Sequence, residues 1–460
     1  MARNKQSRRP NVIVFFTDQQ RWDTTGVHGN PLELTPNFDE MARAGTHVYN
    51  AVSPQPVCGP ARACLQSGMY ATSVGCHRNG IPLPQDVPTL AKCFSAAGYQ
   101  TGYIGKWHLG DSDAVSAPFR GGYDYWLAAN ALEHTSDAYD CSLFDGRNKK
   151  VKLPGYRVDA LTDAAIRFVN ERQDKPFLLF MSFLEPHFQN HRDDHPAPDG
   201  YAERYSGRWM PPDLSALMSE RTGMTGGNAY QSMGGYLGMV KRLDEALGRL
   251  RDALKSLGML ENTIIVFTTD HGCHFRTRNN EYKRSGHESS VRIPMAFSGP
   301  GFNGGGRLQE LVSLVDLTPT LLDAVGIKPP RSMQGRSIMP LLRREPVEWP
   351  DDALIQISES QVGRAVRTHR WKYGVIAPNL NGSQHAGAEL YQEAYLYDLM
   401  SDPYELTNLI GLKSHGAVAK RMRERLTRRM VEVGETKPTI EVAPERASGQ
   451  RRVTPAEVEQ

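Results

Sequence analysis

Cysteine is scarce in this chain: six of 460 residues, Cys58, Cys64, Cys76, Cys93, Cys141 and Cys273. They are too sparse for a disulfide framework and none forms a C-x-x-C pair, which points to buried free thiols and a reducing, cytoplasmic setting. An excess of charge of either sign is also missing. Lys and Arg number 54 against 51 Asp and Glu, a formal net charge of +3, too balanced for a nucleic-acid binder or an anchor on anionic lipid. No stretch approaches the roughly 18 apolar residues of a membrane span. Ser7-Arg8-Arg9 ahead of Val12–Phe16 looks superficially like a secretory leader. That apolar run falls short of the roughly 7–15 residues of a leader core and reads better as a first core strand. Glycine (42) and proline (30) stay well below low-complexity levels, so they should punctuate turns. Internal repeats are absent, and no feature of the sequence specifies an oligomeric state.

What is present is alternation. Short β-branched and aromatic runs alternate with helical patterns through the first three quarters of the chain. This predicts an α/β fold, a large and mostly parallel sheet flanked by helices. Strands are expected at Val12–Thr17, Thr101–Ile104, Phe177–Phe183, Thr263–Thr269 and Ile293–Ser298. A helix is expected at Asn37–Ala44, where Thr35-Pro36 reads as an N-cap followed by proline. Others are expected at Val87–Ala97, Tyr156–Asn170, Tyr230–Leu257 and Asp316–Val325. Pro186–Asp213 has neither period and reads as a long surface loop. After residue 345 the pattern changes to short strands, Ala353–Ser358, Arg364–Arg367, Lys372–Ile376 and Leu396–Asp398. One helix follows, with Val418, Met422, Leu426 and Met430 at i+4 steps and its arginines on a solvated face. The expected division is a catalytic domain over 1–345, a small α+β C-terminal domain over 346–435, and a flexible tail over 436–460.

Two acidic residues fall where an α/β enzyme puts its site, beyond the carboxyl ends of strands. Asp18 follows Val12–Thr17 and Asp270 follows Thr263–Thr269, and each precedes a second potential ligand, Gln19 and His271. Two such pairs suggest a metal site. The segment Val57-Cys58-Gly59-Pro60-Ala61-Arg62 contains C-x-P-x-R. Proline favours a first helical turn, which places Cys58 just before a helix whose N-terminus would favour an anion. In this motif the chain resembles the type I sulfatases of the alkaline phosphatase superfamily. The resemblance continues at Gly105-Lys106-Trp107-His108-Leu109-Gly110, Glu185-Pro186-His187, Thr269-Asp270-His271-Gly272 and Lys283 through Glu288 to Pro294. It ends at Leu396-Tyr397-Asp398-Leu399 followed by Asp402-Pro403-Tyr404-Glu405, landmarks that run in family order.

The resemblance implies a sulfuric ester hydrolase that releases inorganic sulfate from an aryl, alkyl or carbohydrate ester. It implies oxidation of Cys58 to formylglycine by a transient maturation enzyme. An aldehyde hydrate can attack sulfur and later expel sulfate, whereas an ordinary Cys or Ser would be left sulfated. Asp18, Gln19, Cys58, Asp270 and His271 would hold one divalent metal, calcium first, with manganese or magnesium as alternatives. Many members of the family carry Asp-Asp and Asp-Asn at the two pairs, and the imidazole here suits softer ions. Arg62 would brace the hydrate, Lys106 and Lys283 clamp the sulfate, His108 collapse the hydrate, and His187 assist the leaving oxygen. His287 is a further substrate-contact candidate. The Gln19 and His271 combination also resembles phosphonate monoester hydrolases, so a phosphonate monoester or phosphodiester hydrolase is one alternative. A catalytically silent sulfatase-like binding protein is another. Cys64, Cys76, Cys93 and Cys141 are assigned to packing.

Overall fold

A computed structural model describes residues 9–172, 174–219, 223–449 and 452–460; Ser7 and Arg8 of the leader-like stretch lie outside the described residues. The large sheet contains β1 (Asn11–Thr17), β2 (Thr46–Val52), β3 (Gln100–Lys106), β4 (Tyr125–Ala129), β5 (Cys141–Asp145) and β6 (Lys150–Leu153). It continues with β7 (Phe177–Ser182), β8 (Thr263–Thr269), β9 (Arg292–Ile293), β10 (Met295–Ser298) and β11 (Gly306–Ser313). Their order is β11-β2-β10-β8-β1-β7-β3-β4-β5-β6, with β9 beside β2. The central run β8-β1-β7-β3-β4 is parallel, while β10, β5, β6 and β9 pair antiparallel. The single strand expected over Ile293–Ser298 is split between β9 and β10 at Pro294, which has no N–H to give a ladder.

β1 explains why its run is apolar throughout. Val12, Val14 and Phe16 enter one core and Ile13 and Phe15 the other, all fully buried, as expected of a parallel strand covered on both faces. The helices Leu90–Ala96 and Leu317–Ala324 cover the first face, and Arg157–Glu171 and Ala229–Ser256 the second. Two ends differ from expectation. The helix after Val87 begins only at Leu90, because the Thr89 hydroxyl accepts from the Lys92 N–H at 3.2 Å. Thr35 does not cap Pro36–Ala44. Its hydroxyl donates to Asp39, and Asp244, from the long helix, accepts from the N–H groups of Asn37 (3.1 Å) and Phe38 (2.8 Å) instead. The expected loop Pro186–Asp213 is more ordered than its composition suggests. It contains the helix Tyr201–Tyr205 and buries Gln189 and His195.

A second, five-stranded sheet contains β12 (Ala353–Ile357), β13 (Gly363–Arg367), β14 (Trp371–Ile376), β15 (Leu390–Asp398) and β16 (Thr439–Glu441) in sequence order. Val418, Met422, Leu426 and Met430 of the helix Gly416–Glu432 are buried with Leu354, Val366 and Tyr373 of that sheet. Its arginines are ion-paired: Arg425, Arg428 and Arg429 reach Asp352, and Arg423 reaches Glu393. The expected flexible tail is corrected. β16 pairs parallel to β15, and the Glu457 carbonyl accepts from Trp371 Nε1 at 2.9 Å while its carboxylate pairs with Arg370 at 2.6 Å. Charged composition concealed these attachments, because an edge strand is held through its backbone. No described helix is long and apolar enough to cross a membrane.

Candidate active site

Register brings the two acidic strand ends together. Thr17 pairs with Thr269, so Asp18 and Asp270 leave the sheet side by side. The backbone turns sharply at Gln19 (φ 65°), whose N–H donates to Asp270 Oδ1 at 3.0 Å and whose carbonyl accepts from Tyr236 at 2.7 Å. Next in the parallel run, β7 and β3 supply Ser182 and Lys106. Gly105 has φ 109°, and a Cβ there would stand 1.9 Å from the Ser182 carbonyl oxygen, so only glycine lets β3 end this way. His108 (φ 61°) then redirects the chain.

Cys58 is the first residue of the helix Cys58–Ser67, which starts two residues ahead of Pro60 and so includes Cys58 instead of following it. Val57 offers no side-chain cap; Asn79 Oδ1 accepts from the Gly59 N–H at 2.9 Å instead. One turn on, Arg62 spends its guanidinium on four groups. It donates to the Lys106 carbonyl (2.9 Å), Ser182 Oγ (2.6 Å), Asp18 Oδ2 (2.9 Å) and Asp270 Oδ2 (3.3 Å). Lys106 Nζ lies 2.8 Å from Asp18 Oδ2 and 3.0 Å from Glu133 Oε1. Cys58 Sγ is 3.6 Å from Asp18 Oδ1, 3.3 Å from His271 Nε2 and 2.8 Å from Lys283 Nζ. Lys283 also donates to His187 Nε2 at 2.9 Å, while His187 Nδ1 donates to the Phe188 carbonyl at 2.7 Å. Ten of the eleven residues singled out from sequence therefore converge.

His287 is the exception. Its ring packs at a tilt against Tyr395 and Tyr397, with Nε2 at 3.3 Å from the Tyr397 hydroxyl, and it does not line the cavity above Cys58. As the residue before the helix Glu288–Val291, it is turned toward the small sheet, which its neighbourhood to Lys283 in sequence could not reveal.

Burial would disfavour every charge here, yet the pairs override it. Desolvation and Cys58 push the Asp18 carboxyl up, but Lys106, His187 and Lys283 hold it well below the usual range. Asp270, buried and beside Asp18, is raised to about 6. The Cys58 thiol is lowered well below its ordinary value, burial being outweighed by Lys106 and Lys283. His187 is lowered by burial and by Lys283, so its imidazole is neutral with the lone pair of Nε2 toward Lys283.

The residues fit a metal ion. Ligand atoms of Asp18, Cys58, Asp270 and His271 lie within 4.8 Å of one another. His271 Nδ1 donates to the Gly272 carbonyl at 2.9 Å, which leaves Nε2 as the free lone pair facing the carboxylates. Gln19 Oε1 is buried without a hydrogen-bond partner among the described residues, while its amide nitrogen donates to Cys273 Sγ.

Comparison with known proteins decides the family. The Sulfatase family model matches residues 10–327, and the model of the N-sulphoglucosamine sulphohydrolase C-terminal region matches 280–432. The chain belongs to the sulfatase family. It is 30% identical to the ulvan-active sulfatase of Formosa agariphila, covering 93% of this chain and 82% of that one. It is 27% identical to the N-acetylglucosamine-6-O-sulfatase of Bacteroides thetaiotaomicron, covering 92% and 86%. It also superimposes on the solved structure of BT4656 in complex with its substrate D-glucosamine-2-N,6-O-disulfate, with a TM-score of 0.77 at 25% identity over 94% of this chain and 99% of that one. This sulfatase hydrolyses sulfate esters, and the alternative of a silent binding protein is set aside.

Above Cys58 the sulfatase has a cavity of about 270 Å³, whose walls include His108, Glu133, His187, Lys283, Asn79 and Tyr282. Sequence reasoning missed Glu133 and Asn79. Glu133 lies on the short helix Leu132–Thr135, 4% exposed; burial is outweighed by Lys106 and His108, which bring its carboxyl down to about 2. No motif surrounds either residue; for Glu133 a polar side chain just beyond β4 was the available signal, and Asn79 had none.

Proposed function

We propose that this sulfatase acts on a sulfated saccharide through a formylglycine formed from Cys58 and one divalent metal, calcium first, with manganese or magnesium as alternatives. The observation that carries the reading is the position of Cys58 Sγ. It stands at a helix N-terminus on the cavity wall, between the Asp18, Asp270 and His271 donors and the Lys283 ammonium. The saccharide-directed relatives support the substrate class. When present, formylglycine would supply a hydrated aldehyde as a renewable nucleophile, and a metal held by Asp18, Gln19, Asp270 and His271 would supply positive charge against the ester oxygens.

The chain's own groups do the rest. Arg62 ties Asp18 and Asp270 together through one Nη2 and cannot lose its proton, since its guanidinium is raised further by those carboxylates against the pull of burial. Lys106 and Lys283 flank the position of Sγ and would grip sulfate oxygens. The proton for the departing alcohol oxygen resides on Lys283 Nζ, with His187 Nε2 as its acceptor partner. His108, on the cavity wall with Cys58, would take the proton that releases sulfate. The maturation enzyme and a reducing, cytoplasmic setting belong to the same proposal, the latter resting on the five cysteines other than Cys58, all free thiols.

The test is direct. The peptide carrying residue 58 should weigh about 18 Da less than its cysteine form. Chelation should abolish sulfate release, with activity restored by the ion that elemental analysis finds in the purified enzyme. An unmodified Cys58 in fully active enzyme removes the formylglycine, and full activity in metal-free enzyme removes the metal. A kcat/KM for a 4-nitrophenyl phosphonate monoester far above that for 4-nitrophenyl sulfate reassigns the preferred ester.

A further inference from the structure

The mechanism above leaves one buried charge unexplained. Glu133 forms part of the cavity wall, and only one of its oxygens is engaged: Oε1 faces Lys106 Nζ at 3.0 Å and His108 Nδ1 at 3.9 Å. Oε2 is buried with no hydrogen-bond partner among the described residues. A buried acceptor left without a hydrogen bond carries its full desolvation penalty, larger still for a charged group, so such an atom is expected to meet a ligand. Lys106 bridges Glu133 to Asp18, which sets this free oxygen one ammonium away from the sulfate-binding floor. The other carboxylate on the wall, Glu281, is already paired with Arg284 at 3.1 Å.

The cavity's size adds a limit. At about 270 Å³ it falls below the roughly 300–1,000 Å³ of drug-sized ligand sites, room for one sugar ring and not for a chain threaded through. Apart from the Phe188 and Tyr282 rings, its walls are polar or charged, a poor match for an aryl group and a good one for hydroxyls.

We propose that Glu133 is a specificity-determining residue: its free carboxylate oxygen accepts a hydrogen bond from a hydroxyl or ammonium group on the carbon next to the sulfated position of a single terminal sugar. This rests on the reading of the cavity as the sulfate-ester site. It follows that a second sulfate at that neighbouring position is rejected, because two anions would meet in a buried wall.

The experiment compares kcat/KM for sulfate release by wild type and Glu133→Gln on five probes. They are a hexose monosulfate with a free neighbouring hydroxyl, the corresponding hexosamine sulfate, the deoxy analogue lacking that donor, the vicinal disulfate, and 4-nitrophenyl sulfate. Wild type should favour a donor-bearing sugar over the deoxy analogue by about 10- to 100-fold, the range of a hydrogen bond to a charged group. Glu133→Gln should shrink that ratio severalfold and relax the bar on the disulfate. Preference for the hexosamine over the hexose would identify the donor as ammonium, and the reverse as hydroxyl. An equal loss on all probes, 4-nitrophenyl sulfate included, would mean that Glu133 only holds Lys106 and would overturn the proposal. So would a wild-type ratio near one, which decides the matter even if the variant does not fold. Turnover of 4-nitrophenyl sulfate with none of the sugars overturns the saccharide proposal alone; no release from any probe overturns the underlying reading as well.

Discussion

Two groups of buried charges are built on different plans. Where the small sheet meets the large one, Glu288 and Glu405 face Arg367 and Lys372. Arg367 Nε is 3.0 Å from Glu288, and Lys372 Nζ is 2.7 and 2.9 Å from the two carboxylates. In the active site Asp18, Glu133 and Asp270 face Arg62, Lys106 and Lys283. Charge is balanced in both. The first group closes on itself through its ion pairs, whereas the second fronts a cavity and keeps Gln19 Oε1 and Glu133 Oε2 without hydrogen-bond or ion-pair partners among the described residues. Balanced charge by itself is therefore architecture; balanced charge with leftover acceptors and an opening is a site.

The largest effect that would test this distinction lies in the site. Cys58→Ala should lower sulfate release by about ten-thousand-fold or more, as expected when a nucleophile is removed, while thermal unfolding stays within a few degrees of wild type. Activity within tenfold of wild type would detach Cys58 from the chemistry. The closed group should respond the other way round. Arg367→Met strips Glu288 of one cation and should cost about 3–5 kcal/mol in denaturant unfolding, with kcat per folded molecule nearly unchanged. A variant that is fully stable but inactive would erase the contrast between the two groups.

The smallest effect concerns a third arrangement, a buried carboxylate held by N–H donors with no ion pair among the described residues. Asp244 is held by N–H donors at the start of Pro36–Ala44, and burial outweighs these bonds and raises it from 3.8 to about 6. Between those values the folded state keeps a proton that the unfolded state has lost. Stability from this group is therefore greatest below about pH 4 and falls as pH rises through about 6, by about 3 kcal/mol. Urea unfolding of wild type and Asp244→Asn across that range should show a slope in the variant that is shallower by this amount, the remainder coming from groups such as Asp270. Equal slopes would mean that the carboxylate stays ionised and that N–H donors suffice where the two larger groups use cations.

Much of the site was legible before the fold was known. Cys58, Arg62, Lys106 and Asp270 sit in short segments whose residue types are tied to one chemistry, and spacing along the chain preserves them. Glu133 was not legible, because its meaning depends on Lys106 arriving from another strand. His287 misled for the converse reason: proximity to Lys283 in sequence did not survive the turn into Glu288–Val291. The tail misled because β16 attaches through backbone hydrogen bonds that side-chain composition does not encode.

By itself the sequence determined the apolar central strands, the acidic residues that end β1 and β8, and the Cys-x-Pro-x-Arg segment, since each is a local property of chain period or residue type. Tertiary structure alone decided that Thr17 lies level with Thr269, that Asn79 rather than a neighbour supports the helix of Cys58, and that one oxygen of Glu133 is left free on the cavity wall. These depend on contacts between residues far apart in the chain. Register, capping from a distance and partner count are set by packing, which no local pattern records.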